Sequence, residues 1–247
     1  MSLAACAEIV QRGDPDRFAA VMAAPAAARA RLFPLYAFNL EVARAPWASK
    51  EPMIAEMRLQ WWRDVVAEPA PRAHEVAGPV HGVIREAALP LPVIDTLIAA
   101  RLHDAYGQPF EDAAAFDAYL DDTAGGLMWL AAKATGGTDE AAARHLGWAM
   151  GLANYLRAVP ELEARGRFPL PDGRAEAVRA LADAGLLRLS KARAGHVPKA
   201  AALAAWQARG LLRQVAADPL AVAEGRLALS EFARRGGLLW ASLTGRV

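Results

Sequence analysis

The feature that most constrains this chain is a helical periodicity that runs through nearly all of it. Apolar residues recur every three to four positions among Ala, Leu, Arg and Glu, which favour helices. Alternating runs of Val, Ile and Thr, which would indicate strands, are almost absent. The sequence therefore predicts an all-α fold in the form of a helical bundle.

Proline and glycine residues divide this pattern into separate helices, because proline removes a helical hydrogen bond and glycine weakens the helix. Pro46, Pro160 and the Gly136-Gly137 pair are among the predicted breaks. The predicted helices cover approximately residues 3–12, 16–23, 26–44, 51–67, 72–88, 92–106, 113–135, 139–157, 175–192, 198–216 and 226–244.

Size and charge restrict the classes of function. The chain has 247 residues, of which 55% are hydrophobic, enough for one large core, so we expect a single domain over residues 1–247. Its 28 Lys and Arg balance 27 Asp and Glu, which argues against a nucleic-acid partner. The single cysteine, Cys6, excludes an internal disulfide. The sequence contains no apolar run long enough to span a membrane and shows no basic leader pattern. The absence of both patterns predicts a cytoplasmic protein.

Two segments carry the most specific pattern. The first contains Tyr36, Ala37 and Phe38, and the second has the matching residues Asn154, Arg157, Glu161, Arg165, Gly166, Arg167, Leu170 and Pro171. Together they resemble the two catalytic segments of the squalene/phytoene synthase family. The resemblance implies an isoprenoid-synthase-like helical fold.

The resemblance also shows what is missing. In the family, each segment carries two aspartates, four residues apart, that hold magnesium ions against a diphosphate leaving group. The corresponding positions here are Ala43, Trp47, Ala158 and Leu162, and none of these side chains can coordinate a metal. We therefore expect a non-catalytic family member without a cofactor.

A closer resemblance covers the whole chain. It is similar to the branch of the family whose members assist the assembly of mitochondrial respiratory complex I and also lack the aspartates. The similar segments are DPDRF at 14–18, RLFPLYAFNLEVARA at 31–45, EMRLQWWRD at 56–64, YLRAVPE at 155–161 and HVPKAAALA at 196–204. This resemblance implies a binding or assembly role, with a complex I subunit as partner at the inner face of the membrane.

Arginines retained around the ancestral site suggest a ligand. Guanidinium groups hold phosphate bidentately without a metal. A degenerate diphosphate pocket for a prenyl or phospholipid ligand would therefore be formed by Arg31, Arg44, Arg157, Glu161, Arg165 and Arg167. The alternative is that Arg157 and Arg165 form structural ion pairs with Glu161 and Glu163.

An active prenyl diphosphate synthase is the rival hypothesis, and it alone would need magnesium. Its metal ligands would be relocated acids, drawn from Asp117, Asp121, Glu161 and Glu41. Asp117 and Asp121 lie four residues apart, as a metal-binding pair would, but the same spacing is common on solvated helix faces.

Two further questions are left open by the sequence. Trp47 and Leu162 could fill the ancestral cavity or leave it open. The run from Gly236 to Trp240, flanked by Arg234, Arg235 and Arg246, is interpreted as a final core helix or as a surface for peripheral membrane contact.

Overall fold

A computed structural model describes residues 2–49 and 51–247. Within these residues the chain forms helices and no strand, which confirms the all-α prediction. The α-helices are α1 Leu3–Gly13, α2 Pro15–Ala23, α3 Ala26–Arg44, α4 Pro52–Ala67, α5 Ala77–Glu86, α6 Leu91–Ala100, α7 Leu102–Tyr106, α8 Ala113–Leu120, α9 Gly126–Ala134, α10 Glu140–Ala164, α11 Ala175–Ala194, α12 Lys199–Ala202, α13 Ala208–Ala217, α14 Leu220–Ala223 and α15 Glu231–Thr244. Two 3-10 turns, Ala45–Trp47 and Leu203–Ala205, and a π-helical segment, Asp121–Gly125, complete the secondary structure.

Several helix starts follow directly from local sequence. The side chains of Ser2, Asp14, Asp112, Asp139 and Ser230 each accept a hydrogen bond from a backbone N–H in the first turn of the helix that follows. Such N-caps satisfy one of the donors that a helix leaves free at its start. They set the starts of α1, α2, α8, α10 and α15.

Some predicted boundaries were wrong, and the break at Pro160 is the most informative. Pro160 lies inside α10, which continues to Ala164. Proline removes the hydrogen bond to the carbonyl of Leu156. The helix nevertheless continues, since Leu156 and Val159 are buried in the core and tertiary packing outweighs local propensity.

Other differences concern shorter elements. The predicted helix over 72–88 begins only at Ala77, and the one over 92–106 divides at Arg101. The helix over 198–216 is interrupted by the turn at Leu203–Ala205. The last helix begins at Glu231 rather than at 226, because Ser230 provides its N-cap.

A single hydrophobic cluster extends from Cys6 in α1 to Leu227 and contains most of the buried side chains. Trp148, Tyr36 and Phe116 are among its largest fully buried members. The long helix α10 runs through this cluster and packs mainly against α11, α9 and the π-helical segment. The core therefore holds both motif-bearing helices, α3 and α10, in fixed positions. None of the described helices is both long enough and apolar enough to cross a bilayer.

Glycines allow α10 to approach the π-helical segment closely. A Cβ atom on Gly147 would lie 2.4 Å from the Ala124 carbonyl oxygen and 2.5 Å from the Met128 Cβ. A Cβ atom on Gly151 would lie 2.3 Å from the Ala124 Cβ. Because these neighbours are backbone or Cβ atoms, they cannot move aside at low cost.

We expect Gly147→Ala to lower the free energy of unfolding by about 3 kcal/mol, because the added methyl group overpacks this contact. The measurement is urea-induced unfolding followed by circular dichroism. Gly82→Ala is the matched control, since nothing lies within 4 Å of a Cβ atom there. In the interior of α5 it should raise the free energy of unfolding by about 0.5–1 kcal/mol. Equal stabilities for Gly147→Ala and the wild type would contradict the close approach.

Candidate functional site

The second motif ends in a helix cap that positions two arginines. The N–H of Gly166 donates to the carbonyl of Glu163 at 2.8 Å, and the N–H of Arg167 donates to the carbonyl of Leu162 at 3.0 Å. This pair of bonds is a Schellman motif, and it requires the left-handed conformation that Gly166 adopts at φ +76°. The Arg-Gly-Arg sequence therefore ends α10 and places Arg165 and Arg167 on either side of the turn.

The ring of Trp47 lies against the guanidinium groups of these two arginines. Its ring centroid lies 5.1 Å from the guanidinium carbon of Arg165 and 5.3 Å from that of Arg167. Guanidinium groups over an aromatic face are attracted to the ring electrons. At a position where the family has a metal-binding aspartate, this chain thus has an aromatic ring that contacts the cations directly.

The cavity beside Trp47 is small. It measures about 30 Å³ and is bordered by Trp47 and Leu162, two of the four former aspartate positions, as well as by Tyr155 and Arg167. That volume holds about one water molecule. A prenyl chain would need a cavity roughly ten times larger. Trp47 and Leu162 therefore line a cavity that is too small for a prenyl chain.

Aromatic rings pack densely next to it. Phe110 and Phe116 are 5.0 Å apart between ring centroids, Phe116 and Tyr155 are 5.1 Å apart, and both pairs meet edge to face. Phe110 also stacks on His103 at 3.9 Å. Burial lowers the pKa of His103 and outweighs the opposing charge of Asp104, while Arg167 lowers it further. His103 is accordingly neutral at physiological pH.

A largely buried polar network lies beneath the arginines. Arg101 donates from Nη1 to Oδ2 of Asp104 at 3.2 Å and to the hydroxyl of Tyr119 at 2.8 Å. The Tyr119 hydroxyl also contacts both carboxylate oxygens of Asp104 at 3.0 Å. Burial raises the pKa of Tyr119, so this hydroxyl keeps its proton and donates it to the carboxylate.

Arg167 joins this network through the backbone. Its Nη2 donates to the carbonyl of Asp104 at 3.2 Å. It passes so close to Gly107 that a Cβ atom there would lie 0.9 Å from Arg167 Nη1. Gly107 also ends α7 in the left-handed region, at φ +64°, and this conformation favours glycine, whereas the end of the flexible Arg167 side chain could move aside.

The four former aspartate positions do not suit a magnesium ion. Ala43 and Ala158 present only methyl groups, and Trp47 and Leu162 present apolar surface. Magnesium requires oxygen ligands in near-octahedral geometry. In the described part of the chain, no three His, Cys, Asp or Glu side chains come together as a cluster that could hold a metal ion.

The relocated acids are already paired with arginines. Asp117 accepts a hydrogen bond from Arg188 at 2.7 Å, and Asp121 accepts one from Arg144 at 2.9 Å. Because each carboxylate binds an arginine from a different helix, the two do not point at a common ion. This arrangement favours the interpretation of Asp117 and Asp121 as structural charges.

A second, polar cavity of about 380 Å³ lies between the α1–α2 turn, α3, α10 and α13. Arg17, Asn39, Asn154, Arg157 and Gln207 border it. The side chain of Asn39 is 6% exposed, and its Oδ1 has no hydrogen-bond partner. A buried acceptor without a partner is costly, so this amide is suited to receive a donor from a water molecule or a ligand.

Arg157 faces this cavity and is held by Asp16. Its Nη1 lies 3.4 Å from Oδ2 of Asp16, and Arg234 approaches Oδ1 of the same carboxylate at 2.6 Å. Burial alone would raise the pKa of Asp16, but hydrogen bonds from Arg234, Gln207 and Arg157 lower it overall. Asp16 is therefore ionised and competes with any anionic ligand for Arg157.

The structure does not bring the six predicted site residues into one pocket. Arg31 donates to the carbonyl of Ala134 at 2.9 Å. Arg31 precedes Arg44 on α3 by a distance along the helix axis of about 20 Å. The guanidinium of Arg44 lies beside Gly13, at the border of the polar cavity.

Of the other predicted residues, one borders each cavity, and Arg165 and Glu161 border neither. Arg157 borders the polar cavity and Arg167 borders the small one. Arg165 forms an exposed ion pair with Glu161 at 2.6 Å, as the structural alternative predicted. The same alternative paired Arg157 with a glutamate of α10, and this was wrong, because Asp16 from α2 is its partner.

Sequence reasoning missed three features of the site. Arg101 and Asp104 are spaced as neighbours on one helical face, which could have indicated an ion pair, although their link to Tyr119 is tertiary. Asn39 interrupts an otherwise apolar run, which was a detectable signal for a buried polar group. Nothing in the sequence around Trp47 indicated its contact with the two arginines.

The family model for squalene/phytoene synthase matches residues 10–217. The chain belongs to the squalene/phytoene synthase family. Among solved structures, a dehydrosqualene synthase superposes with a TM-score of 0.80 at 16% identity, covering 98% of this chain and 95% of the other. A squalene synthase from Alicyclobacillus acidocaldarius superposes with a TM-score of 0.72, also at 16% identity, over 92% and 95% of the two chains. These likenesses confirm the predicted isoprenoid-synthase-like fold.

Curated relatives lie in the branch that the sequence indicated. The Drosophila melanogaster protein named NADH dehydrogenase (ubiquinone) complex I, assembly factor 6 homolog is 30% identical over 176 residues, covering 66% of this chain and 52% of the relative. The Bos taurus and Homo sapiens proteins named NADH dehydrogenase (ubiquinone) complex I, assembly factor 6 are 27% and 26% identical over 172 residues, covering 67% and 52%. The chain thus spans about half the length of the curated relatives it matches.

We expect Asp104→Asn to lower the free energy of unfolding by about 3 kcal/mol, because Arg101 would keep a largely buried charge without its anion. Chemical denaturation measures the change. Glu8→Gln removes an exposed carboxylate that pairs with Arg12 and serves as the control, with no measurable effect expected. If the two variants proved equally stable, the network around Asp104 would not stabilise the fold.

Proposed function

We propose that this protein is a non-catalytic assembly factor for respiratory complex I that acts by binding a complex I subunit. The observation that carries the proposal is the replacement of all four metal-binding positions, with Trp47 seated against Arg165 and Arg167. The kinship with assembly factors supports the same role. The location that fits this role is the cytoplasm, at the inner face of the membrane.

The loss of the metal sites explains why binding is favoured over catalysis. Ionisation of an allylic diphosphate needs cations at the leaving group. Arg165 and Arg167 supply positive charge, but Trp47 and Glu161 already contact them. The small cavity beside Trp47 and Arg167 has no room for a prenyl chain. Binding to the surface of another protein, in contrast, does not require a cavity.

An exposed aromatic side chain next to this cavity supports contact with a protein. Phe168 borders the cavity and is largely exposed, and Trp47 is partly exposed beside it. Aromatic side chains are enriched at the centres of protein interfaces. The chemistry of this rim suits an apolar segment of a subunit.

Deleting the gene in its host should reduce assembled complex I, seen on native gels, and NADH:ubiquinone oxidoreductase activity, while succinate dehydrogenase activity stays unchanged. Wild-type protein should restore assembly, and Phe168→Ser should restore less of it, because the exposed ring would contribute to the subunit contact. Leu187→Ser, at an exposed residue of α11, is the matched control and should complement fully. Normal complex I in the deletion strain would refute the assembly role, and release of diphosphate from farnesyl diphosphate with magnesium would refute the non-catalytic role.

A prenyl or phospholipid ligand is the second candidate, and the guanidinium of Arg157 on the wall of the polar cavity favours it, because it can donate to phosphate oxygens. The polar cavity offers Arg157, with Arg44 at its border, to a phosphate group. Glu161 lies in the last turn of α10, Arg165 and Arg167 lie just beyond its end, and Arg31 lies toward the start of α3. We therefore assign the phosphate end of such a ligand to Arg157 and Arg44.

Farnesyl diphosphate without magnesium should raise the melting temperature, because a ligand that binds only the folded state stabilises it. Asp16→Asn should increase this shift by freeing Arg157, and Arg157→Ala should abolish it. Each shift is measured by differential scanning fluorimetry against the same variant without ligand. Arg165→Ala is the control and should behave as wild type. A shift that survives Arg157→Ala but not Arg167→Ala would assign the ligand to the other cavity, and the absence of any shift in Asp16→Asn would exclude the ligand.

A further inference from the structure

The last helix, α15, packs on the protein mainly through small residues and Leu238, and most of its large apolar residues face outward. On its inner side Ala241 is buried, Gly237 lies over the ring of Trp206, and Arg234 binds Asp16. This orientation is the reverse of the usual amphipathic helix, in which the large apolar residues enter the core. The expectation of a final core helix was therefore wrong.

The outer face of α15 carries four large apolar side chains, which we call the apolar face. Phe232 is 89% exposed, Leu243 73%, Leu239 61% and Trp240 60%. The first three recur at i, i+7 and i+11, which places them in one row, and Trp240 lies beside that row. Four such side chains on one helix exceed the scattered apolar exposure that is normal for a protein surface.

Arginines border the apolar face at its N-terminal end, where Glu231 partly offsets their charge. Arg235 is almost fully exposed and lies between Phe232 and Leu239 along the helix. Glu231 is the acidic residue of α15, and it forms ion pairs with Arg234 and Arg235. The outer side of α15 is thus apolar with a basic border.

A cationic cavity adjoins the C-terminal end of this helix. It measures about 550 Å³, and Arg193, Lys199 and Arg246 border it above an apolar floor that includes Leu189. Gly245 ends α15 in the left-handed region, at φ +72°, and brings the chain against Lys199. Leu243, the last residue of the apolar face, therefore lies two residues from a wall of the cavity.

One of these cations already has a partner, because Arg193 donates from Nε and Nη2 to the oxygen of Val247 at 3.3 and 2.8 Å. The other two are Lys199 and Arg246. No carboxylate side chain is among the described residues that border the cavity. Asp139 lies nearby and accepts hydrogen bonds from the N–H groups of Ala142 and His196. Burial, followed by the neighbouring charges of Arg193 and Arg213, lowers the pKa of Arg209 on α13, as expected in a region of excess positive charge.

We propose that the apolar face and the cationic cavity form one surface that docks on an anionic phospholipid bilayer. Phe232, Leu239 and Leu243 enter the boundary between headgroups and acyl chains. Lys199, Arg246 and Arg235 meet the headgroup phosphates. Charge complementarity selects the bilayer over a second copy of this chain, since a second copy would bring the same cations together.

This inference specifies the membrane contact that belongs to the proposed function. Its test uses the purified protein with vesicles, so it can fail while the assembly role stands, and the reverse also holds. The vesicles contain phosphatidylcholine mixed with phosphatidylglycerol, or phosphatidylcholine alone. Binding is measured by flotation and by quenching of tryptophan fluorescence with brominated lipid.

The wild type should float with the anionic vesicles and bind the neutral ones much less. Combined Phe232→Ser, Leu239→Ser and Leu243→Ser should reduce the partition coefficient at least tenfold, because exposed apolar area drives interfacial binding. Lys199→Gln with Arg246→Gln should reduce it about fivefold for each charge. Trp240→Phe should retain binding but lose most of the quenching.

Matched controls remove equivalent side chains elsewhere. Leu187→Ser with Leu220→Ser removes exposed leucines on α11 and α14, and Arg12→Gln with Arg174→Gln removes exposed cations. Both pairs should bind as the wild type does, and circular dichroism should show an unchanged fold for all variants. Failure of the wild type to bind anionic vesicles would overturn the proposal. Equal binding by the triple variant and the wild type would also overturn it. So would light scattering that shows a dimer for the wild type and a monomer for the triple variant, with no binding to vesicles.

Discussion

The close packing of α10 against the π-helical segment is the constraint on which the rest of the structure depends. Gly147 and Gly151 bring two backbones together at distances that no side chain would allow. The helix carries Asn154, Arg157 and the Arg-Gly-Arg turn, so the position of each is set by this contact. Because eleven of its 25 residues are buried, α10 is held by the core on both sides of its middle, continues through Pro160 and positions the second motif.

What changes in this family member is how its arginines are neutralised. Arg165 is offset by Trp47 and Glu161, and Arg157 is offset by Asp16. Side chains of the protein therefore contact the guanidinium groups of both arginines. Retaining an arginine costs little when a partner is present, whereas an unpaired one would be destabilising. This explains how a basic motif persists without the acids that accompany it in the catalytic members.

The fold was largely predictable because helical periodicity and prolines are local signals, and capping residues such as Asp14 and Asp139 mark helix starts. The sites were less predictable because they depend on tertiary neighbours. Arg31 and Arg157 are both arginines but have different partners. Arg31 donates to a backbone carbonyl, whereas Arg157 pairs with a carboxylate from α2. Spacing along the chain contained no information about Asp16, which is 141 positions from Arg157.

The orientation of α15 likewise depends on a tertiary contact that the sequence did not indicate. Its sequence is amphipathic, and an amphipathic helix at the end of a bundle is ordinarily expected to bury its apolar face. Arg234 decides against this, because its contact with Asp16 fixes the small-residue side inward and leaves Phe232 and Leu243 outside. Asp16 thus serves both Arg157 in the polar cavity and Arg234 on α15. An anion that displaced Asp16 from Arg157 would act on the same carboxylate that binds Arg234 of α15, so the polar cavity and α15 are physically linked through a single residue.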